Sequence, residues 1–208
     1  MKILLVFVLV ITYSFCLAQT DSIPVAEKKA NEKIAQLRRE RVKTILCYYV
    51  DCVGYMHGFN PDSCTSFQPE YLFWTNNNLS FIQRFDECTD YKPMNIRPAL
   101  YNLIKSNYKQ IQKAKIEYPV YYGIVDGKQV KLTTMVDHSC HNIFEFYTND
   151  KELKKDIDDF ALETQYIDKK YVNLNYQSNK KSILIKLKGI VEREVAVYDK
   201  NLKTERHP

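Results

Sequence analysis

Apolar positions recur along the chain in two periods, and the switches between them outline its elements. From Val25 to about Leu46 they fall at Ala26, Ala30, Ile34, Leu37 and Ile45 with Lys, Arg and Glu between them, which predicts an amphipathic helix whose Arg38, Arg39, Arg41 and Lys43 form a solvated face. Residues 47–69 break that pattern. Gly54, Gly58, Asn60-Pro61-Asp62-Ser63 and three cysteines give them the composition of an irregular, bridged segment. Aromatic and β-branched runs on either side of Asn76, Asn77 and Asn78 then predict a hairpin over about 71–85, with Tyr71 and Phe73 on one face and Leu72 and Trp74 on the other.

Further along, Pro98 suits the first turn of a helix running to about Gln112, with Leu100, Leu103, Ile104 and Ile111 on one side. A second hairpin, 117–136, is centred on Asp126-Gly127, the two-residue turn in which both positions take positive φ. The chain pauses at Asp137–His141 and resumes as a strand over 142–147. Asn149 with Glu152 makes a capping-box pattern, and Leu153, Ile157, Phe160, Ala161, Thr164 and Ile167 extend it into an expected helix. Alternation of Ile183, Ile185 and Leu187 predicts a strand over 182–188, ended by Gly189. Val191, Val195, Tyr198 and Leu202 favour a last helix, with a continued strand as the alternative for 190–202. Hairpins interleaved with three or four helices indicate an α+β domain built on a mainly antiparallel sheet.

The two ends lie outside that domain. Lys2, the apolar run Ile3–Ile11 and the small residues before Gln19 read as a signal peptide over 1–18, too short to span a bilayer, which takes about 20 apolar residues. A linker over 19–24, a single domain over 25–202 and a polar tail over 203–208 complete the expected organisation. The expected destination is therefore the periplasm or the extracellular space, in a bacterium.

Charge narrows the partners. Lys2 is the only charge in the leader, so the remainder carries one less than the +5 of the whole chain, with both signs interspersed. The pattern lacks the dense basic patch expected of a nucleic-acid binder, and no later stretch is long and apolar enough to cross a membrane. An unidentified protein or small molecule is left as the partner, and the oligomeric state stays open.

Candidate chemistry concentrates at Val136–Asn142, where His138, Cys140 and His141 cluster in a chain of four histidines and six cysteines. In an extended strand His138 and Cys140 share a face. Three readings follow. Cys140 is a nucleophile activated by His138 or by His57; or His138, Cys140, His57 and Cys52 ligate zinc, without the paired spacing that makes zinc motifs specific; or the cluster is structural, with Cys140 buried or disulfide-bonded. Beyond Cys16 in the leader, an exported chain holds an odd number of cysteines. Two bridges drawn from Cys47, Cys52, Cys64 and Cys88 would leave Cys140 unpaired, in any of three connectivities.

The remaining signals are weaker. The acid pairs Asp86-Glu87 and Asp158-Asp159 fall in a turn and on the polar side of the expected helix, as solvated surface. With five glycines in the chain there is little material for a phosphate loop, and neither a nucleophile elbow nor a paired-histidine zinc motif occurs. The chain has sixteen tyrosines and ten phenylalanines, several of which cluster near the bridged segment, making Tyr55, Phe59, Tyr71 and Trp74 candidates for a recognition surface. The functional expectation is a disulfide-stabilised exported binding protein without catalysis or cofactor; the alternative is a secreted hydrolase or zinc-dependent enzyme working through Cys140.

Overall fold

The computed structural model describes residues 23–52, 69–148 and 151–206. The elements follow in the order α1 (Val25–Arg39), β1 (Thr44–Cys52), β2 (Glu70–Asn76), β3 (Leu79–Phe85), β4 (Met94–Ile96), α2 (Ala99–Lys113), β5 (Val120–Val125), β6 (Lys128–Thr133), β7 (Cys140–Thr148) and β8 (Lys151–Asp158). After these come α3 (Asp159–Glu163), β9 (Tyr166–Ile167), β10 (Tyr171–Val172), α4 (Tyr176–Lys180) and α5 (Ile183–Arg206). Six strands form an antiparallel sheet in the order β4-β3-β2-β1-β7-β8, while β5-β6 and β9-β10 are separate two-stranded hairpins. The fold is α+β with a mainly antiparallel sheet, as the periodicities predict.

The sheet is covered on both faces. On one, Leu46, Tyr48, Phe73, Ile82, Phe144 and Phe146 pack with Leu100, Ile104 and Ile111 of α2 and with Leu184, Leu187 and Val191 of α5. On the other, Ala30, Ile34 and Leu37 of α1 meet Ile45, Cys47, Leu72 and Trp74. Tyr71 and Trp74 are therefore core residues, only 5% and 4% exposed, rather than the recognition surface expected of them. The Tyr71 hydroxyl donates to Asp199 Oδ2 at 2.8 Å.

Four expectations are corrected. The first helix stops at Arg39, and residues 44–52, read partly as helix and partly as irregular, form the central strand β1. A strand buried on both sides shows a continuous apolar run rather than alternation, and Thr44-Ile45-Leu46-Cys47-Tyr48-Tyr49-Val50 is such a run. The helix expected after Asn149 is instead the edge strand β8 followed by the single turn α3. Leu153 and Ile157 are four apart, a spacing that serves a helix face and a strand face equally well. The 182–188 strand is the first part of α5, where Ile183, Leu184, Leu187 and Val191 are all buried. Lastly, the 117–136 hairpin forms at Asp126 and Gly127, with φ of 52° and 73°, but stands apart from the main sheet.

Gly189 lies inside α5, and a Cβ built there meets nothing within 4 Å. Gly189→Ala is expected to raise unfolding stability by about 0.5–1 kcal/mol, through the lower backbone entropy of alanine in the unfolded chain. Urea denaturation checks this; a destabilised variant would argue against an uninterrupted helix.

Charged residues also hold the layers together. Asp86, expected in a solvated turn, is fully buried. It accepts from the backbone N–H of Cys88 and Thr89 at 3.1 and 2.9 Å, from the Tyr91 hydroxyl at 2.8 Å and from Arg84 Nε at 3.2 Å. Burial alone would raise its pKa, but these donors outweigh it and hold the carboxyl below its ordinary value. Asp158 is likewise mostly buried and caps α3 through Phe160 N–H, while Asp159 accepts from Asn142 Nδ2 at 2.9 Å. Lys155 of β8 donates to the carbonyls of Gln112 and Ala114 at 2.7 and 2.8 Å, satisfying the C-terminal end of α2.

Candidate ligand-binding site

The His/Cys cluster resolves into structural roles. Cys52 ends β1, Cys140 begins β7, and the two stand directly opposite in the antiparallel ladder with Cα atoms 4.0 Å apart, joined by a disulfide. This pairing rules out a bridge from Cys52 to Cys47, Cys64 or Cys88 and the unpaired state expected of Cys140. With both sulfurs bonded, Cys140 presents no thiolate to attack a substrate, and neither Cys52 nor Cys140 presents one to ligate zinc.

The neighbours of Cys140 are occupied in the same way. His138 is exposed in the bend before β7. His141 Nδ1 lies 2.9 Å from Asp156 Oδ1. Ser139 Oγ donates to Asp158 Oδ1 and accepts from Phe160 N–H at 3.1 Å, joining the α3 cap. His57, Cys64, Tyr55 and Phe59 lie outside the described residues. Among the described residues no group of three or more His, Cys, Asp or Glu side chains is placed to hold a metal ion.

A different cluster forms on the α1 side of the sheet. Cys47 of β1 shares the face of Ile45, packed under α1, and its register partner on β7 is Glu145. Glu145 and Tyr147, two residues apart on β7, share that face, and Lys154 is the β8 partner of Glu145. Together with Tyr49, Glu70 and the first turn of α1 at Glu27, these side chains line a cavity of about 400 Å³. Among the described residues four carboxylates, Glu27, Glu70, Glu87 and Glu145, face one ammonium group, that of Lys154.

The carboxylates are not equivalent. Both oxygens of Glu145 are bonded: Oε1 accepts from the Tyr49 hydroxyl at 3.2 Å and pairs with Lys154 Nζ at 2.9 Å, and Oε2 accepts from the Tyr147 hydroxyl at 2.9 Å. Lys154 Nζ also donates to the Tyr49 hydroxyl at 3.1 Å. Burial would raise the Glu145 pKa, but Lys154 and the two hydroxyls reverse it, so this group stays ionised. Among the described residues Glu70 has only the Cys47 thiol, whose sulfur donates to Oε2 at 3.4 Å. Burial, added to by the charges of Glu27 and Glu145, exceeds that one bond and pushes the Glu70 pKa up to about 7.

Cys47 is a free thiol in this wall, and burial first, then the negative charge of Glu70, raise its pKa well above the ordinary value. A thiol so placed stays protonated and is a hydrogen-bond donor rather than a nucleophile. The cavity thus combines a fixed anion in a tyrosine–lysine clasp with a carboxyl that changes charge near neutral pH.

Of the cavity's polar residues only Cys47, as a bridge candidate, and Glu87, as half of a solvated acid pair, stood out in the sequence. One signal was present: Glu145 is a lone charge between Phe144 and Phe146, in a strand whose other central residues are apolar. An unpaired carboxylate in such a run requires partners. Comparison with protein-family models, with curated proteins and with solved structures gives no match for this chain.

Proposed function

We propose that the protein is an exported, non-catalytic binding protein whose ligand is a small organic diamine or polyamine, held in the cavity between α1 and the sheet. The observation that carries this reading is the charge imbalance of the cavity: Lys154 is already committed to Glu145 and Tyr49, while Glu27, Glu70 and Glu87 remain for a guest. Three carboxylates are more than one ammonium group can use, which favours a ligand carrying two or more. The Tyr49 and Tyr147 rings already draw cations of the protein, with Lys154 Nζ 5.7 Å from one centroid and Arg38 Cζ 5.1 Å from the other. Export is supported by the apolar leader and by the Cys52–Cys140 bridge, since disulfides persist in oxidising compartments.

Binding of a cation removes the proton from Glu70, so affinity rises as pH passes through about 7. Titration calorimetry with putrescine is expected to show at least tenfold tighter binding at pH 8 than at pH 5.5, with the pH dependence lost in Glu70→Gln. Affinity indifferent to both pH and this substitution, or no binding of putrescine or spermidine at pH 8, would sink the assignment.

A further inference from the structure

Two residues in the wall of a second cavity adopt states that weaken the free protein. The cavity, about 940 Å³, lies at the end of the sheet where the α1–β1 connection, the β2–β3 turn, α2 and the end of β7 meet. Arg41 closes α1 there. Its N–H donates to the Arg38 carbonyl and that of Val42 to the Leu37 carbonyl, both at 3.0 Å, a helix ending that forces the residue into the left-handed region, with φ 61°. Glycine takes this position without steric cost and arginine does not. Tyr101 of α2 is the second case: its hydroxyl is sealed from solvent without a hydrogen-bond partner, and burial raises its pKa well above the ordinary value. A buried polar atom left unpaired is a net loss to the fold. Strain and unmet hydrogen bonds of this kind gather at sites of function.

The chemistry of the wall identifies the guest. Arg41, Lys43 and Lys105 supply three cations, and none of them forms an ion pair among the described residues. The only acid there, Glu40, accepts a hydrogen bond from Gln36 at 2.7 Å. Asn76 and Asn102 offer amides that both donate and accept, as sugar hydroxyls require. Tyr101 and Tyr108, both half-buried, contribute ring surface. The volume exceeds what a single inorganic anion fills and suits a short oligomer.

We propose that this cavity binds an acidic oligosaccharide, its carboxylates on Arg41, Lys43 and Lys105, its hydroxyls on the asparagine amides and its rings against the two tyrosines. The site is separate from the acidic cavity and does not depend on what that cavity holds.

The test pairs binding with stability, using trigalacturonate as probe, maltotriose as its neutral counterpart and inorganic phosphate as a bare anion. Trigalacturonate is expected to bind at least tenfold more tightly than either control at low ionic strength. Arg41→Gly is expected to raise the melting temperature by about 2–4 °C while weakening trigalacturonate binding about tenfold or more, and Tyr101→Phe, which keeps the ring and removes only the sealed hydroxyl, to leave the melting temperature unchanged or higher and the binding unchanged. Putrescine binding in the other cavity serves as an internal control and is expected to be unchanged in both variants. Phosphate binding as tightly as trigalacturonate, no trigalacturonate binding, or an Arg41→Gly variant that binds it as the parent does would each overturn the proposal.

Discussion

Replacing Cys52 and Cys140 together by alanine is expected to lower unfolding stability by about 3–5 kcal/mol. The bridge joins residues 88 apart in sequence, so in the unfolded chain it closes a large loop, and the chain-entropy model puts that restriction at about 4–5 kcal/mol. The folded state gains little from the bond itself. Cys52 and Cys140 are already register partners at the end of a ladder running from Thr44–Thr148 to this pair, and the remaining pairings of β1 with β7 hold the strands together without it. The effect therefore arises in the unfolded ensemble, and a compact denatured state would reduce it. Urea denaturation of parent and double variant at pH 7, with and without reductant, measures it. Reductant should bring the parent down to the level of the variant and leave the variant unmoved; curves that coincide throughout would show that the bridge does not restrain the unfolded chain.

Glu70→Gln is expected to stabilise the protein by about 3 kcal/mol at pH 8 and by almost nothing at pH 4. In the unfolded chain the carboxyl loses its proton near the ordinary glutamate value of 4.5, whereas in the folded protein it keeps it to about 7. Between those values the unfolded state binds fewer protons than the native state, so unfolding becomes easier as pH rises through the window, and the loss levels off above it. Glutamine fills the same space, still accepts from the Cys47 thiol and carries no charge to desolvate. Denaturation midpoints of the two proteins from pH 4 to pH 8 should converge at the acid end and separate through the window. A constant difference across the series would show that Glu70 ionises freely in the fold.

Much of the architecture was legible in the sequence because local chemistry decided it. Asn77 and Asn78, with φ of 49° and 64°, and Asp126-Gly127 tolerate the positive φ that two-residue hairpins need, and both turns form. Pro98 sets the start of α2. What misled was any pattern compatible with two periods. Leu153 and Ile157 fit a helix by their spacing, but β7 offered an open edge for pairing, and long-range hydrogen bonds outweighed local preference. Ile183, Ile185 and Leu187 alternate like a strand, yet the neighbouring Leu184 is buried with Leu187 and Val191, a combination that only a helix presents to one face.

The sites were less legible than the fold. Cys140 attracted attention because histidines surround it in sequence, but a disulfide depends on which strands become neighbours, and the separation of 88 positions between Cys52 and Cys140 hides that. The acidic cavity draws Tyr49, Glu70, Glu145 and Lys154 from four strands, and only Glu145 and Lys154 belong to strands consecutive along the chain without a long connection. Each alone reads as an ordinary strand residue, and only the pairing of β1 with β2 and β7, and of β7 with β8, assembles them.

Both margins of the large sheet are poor templates for a foreign strand. One ends in β4, only three residues long, and the other in β8, where Lys151, Lys154 and Lys155 lie among Glu152 and Asp156. A short rim offers too few amide partners to nucleate pairing, and a rim of mixed charges must be stripped of water before another chain can dock. Edge-to-edge growth of the sheet through either margin is therefore disfavoured.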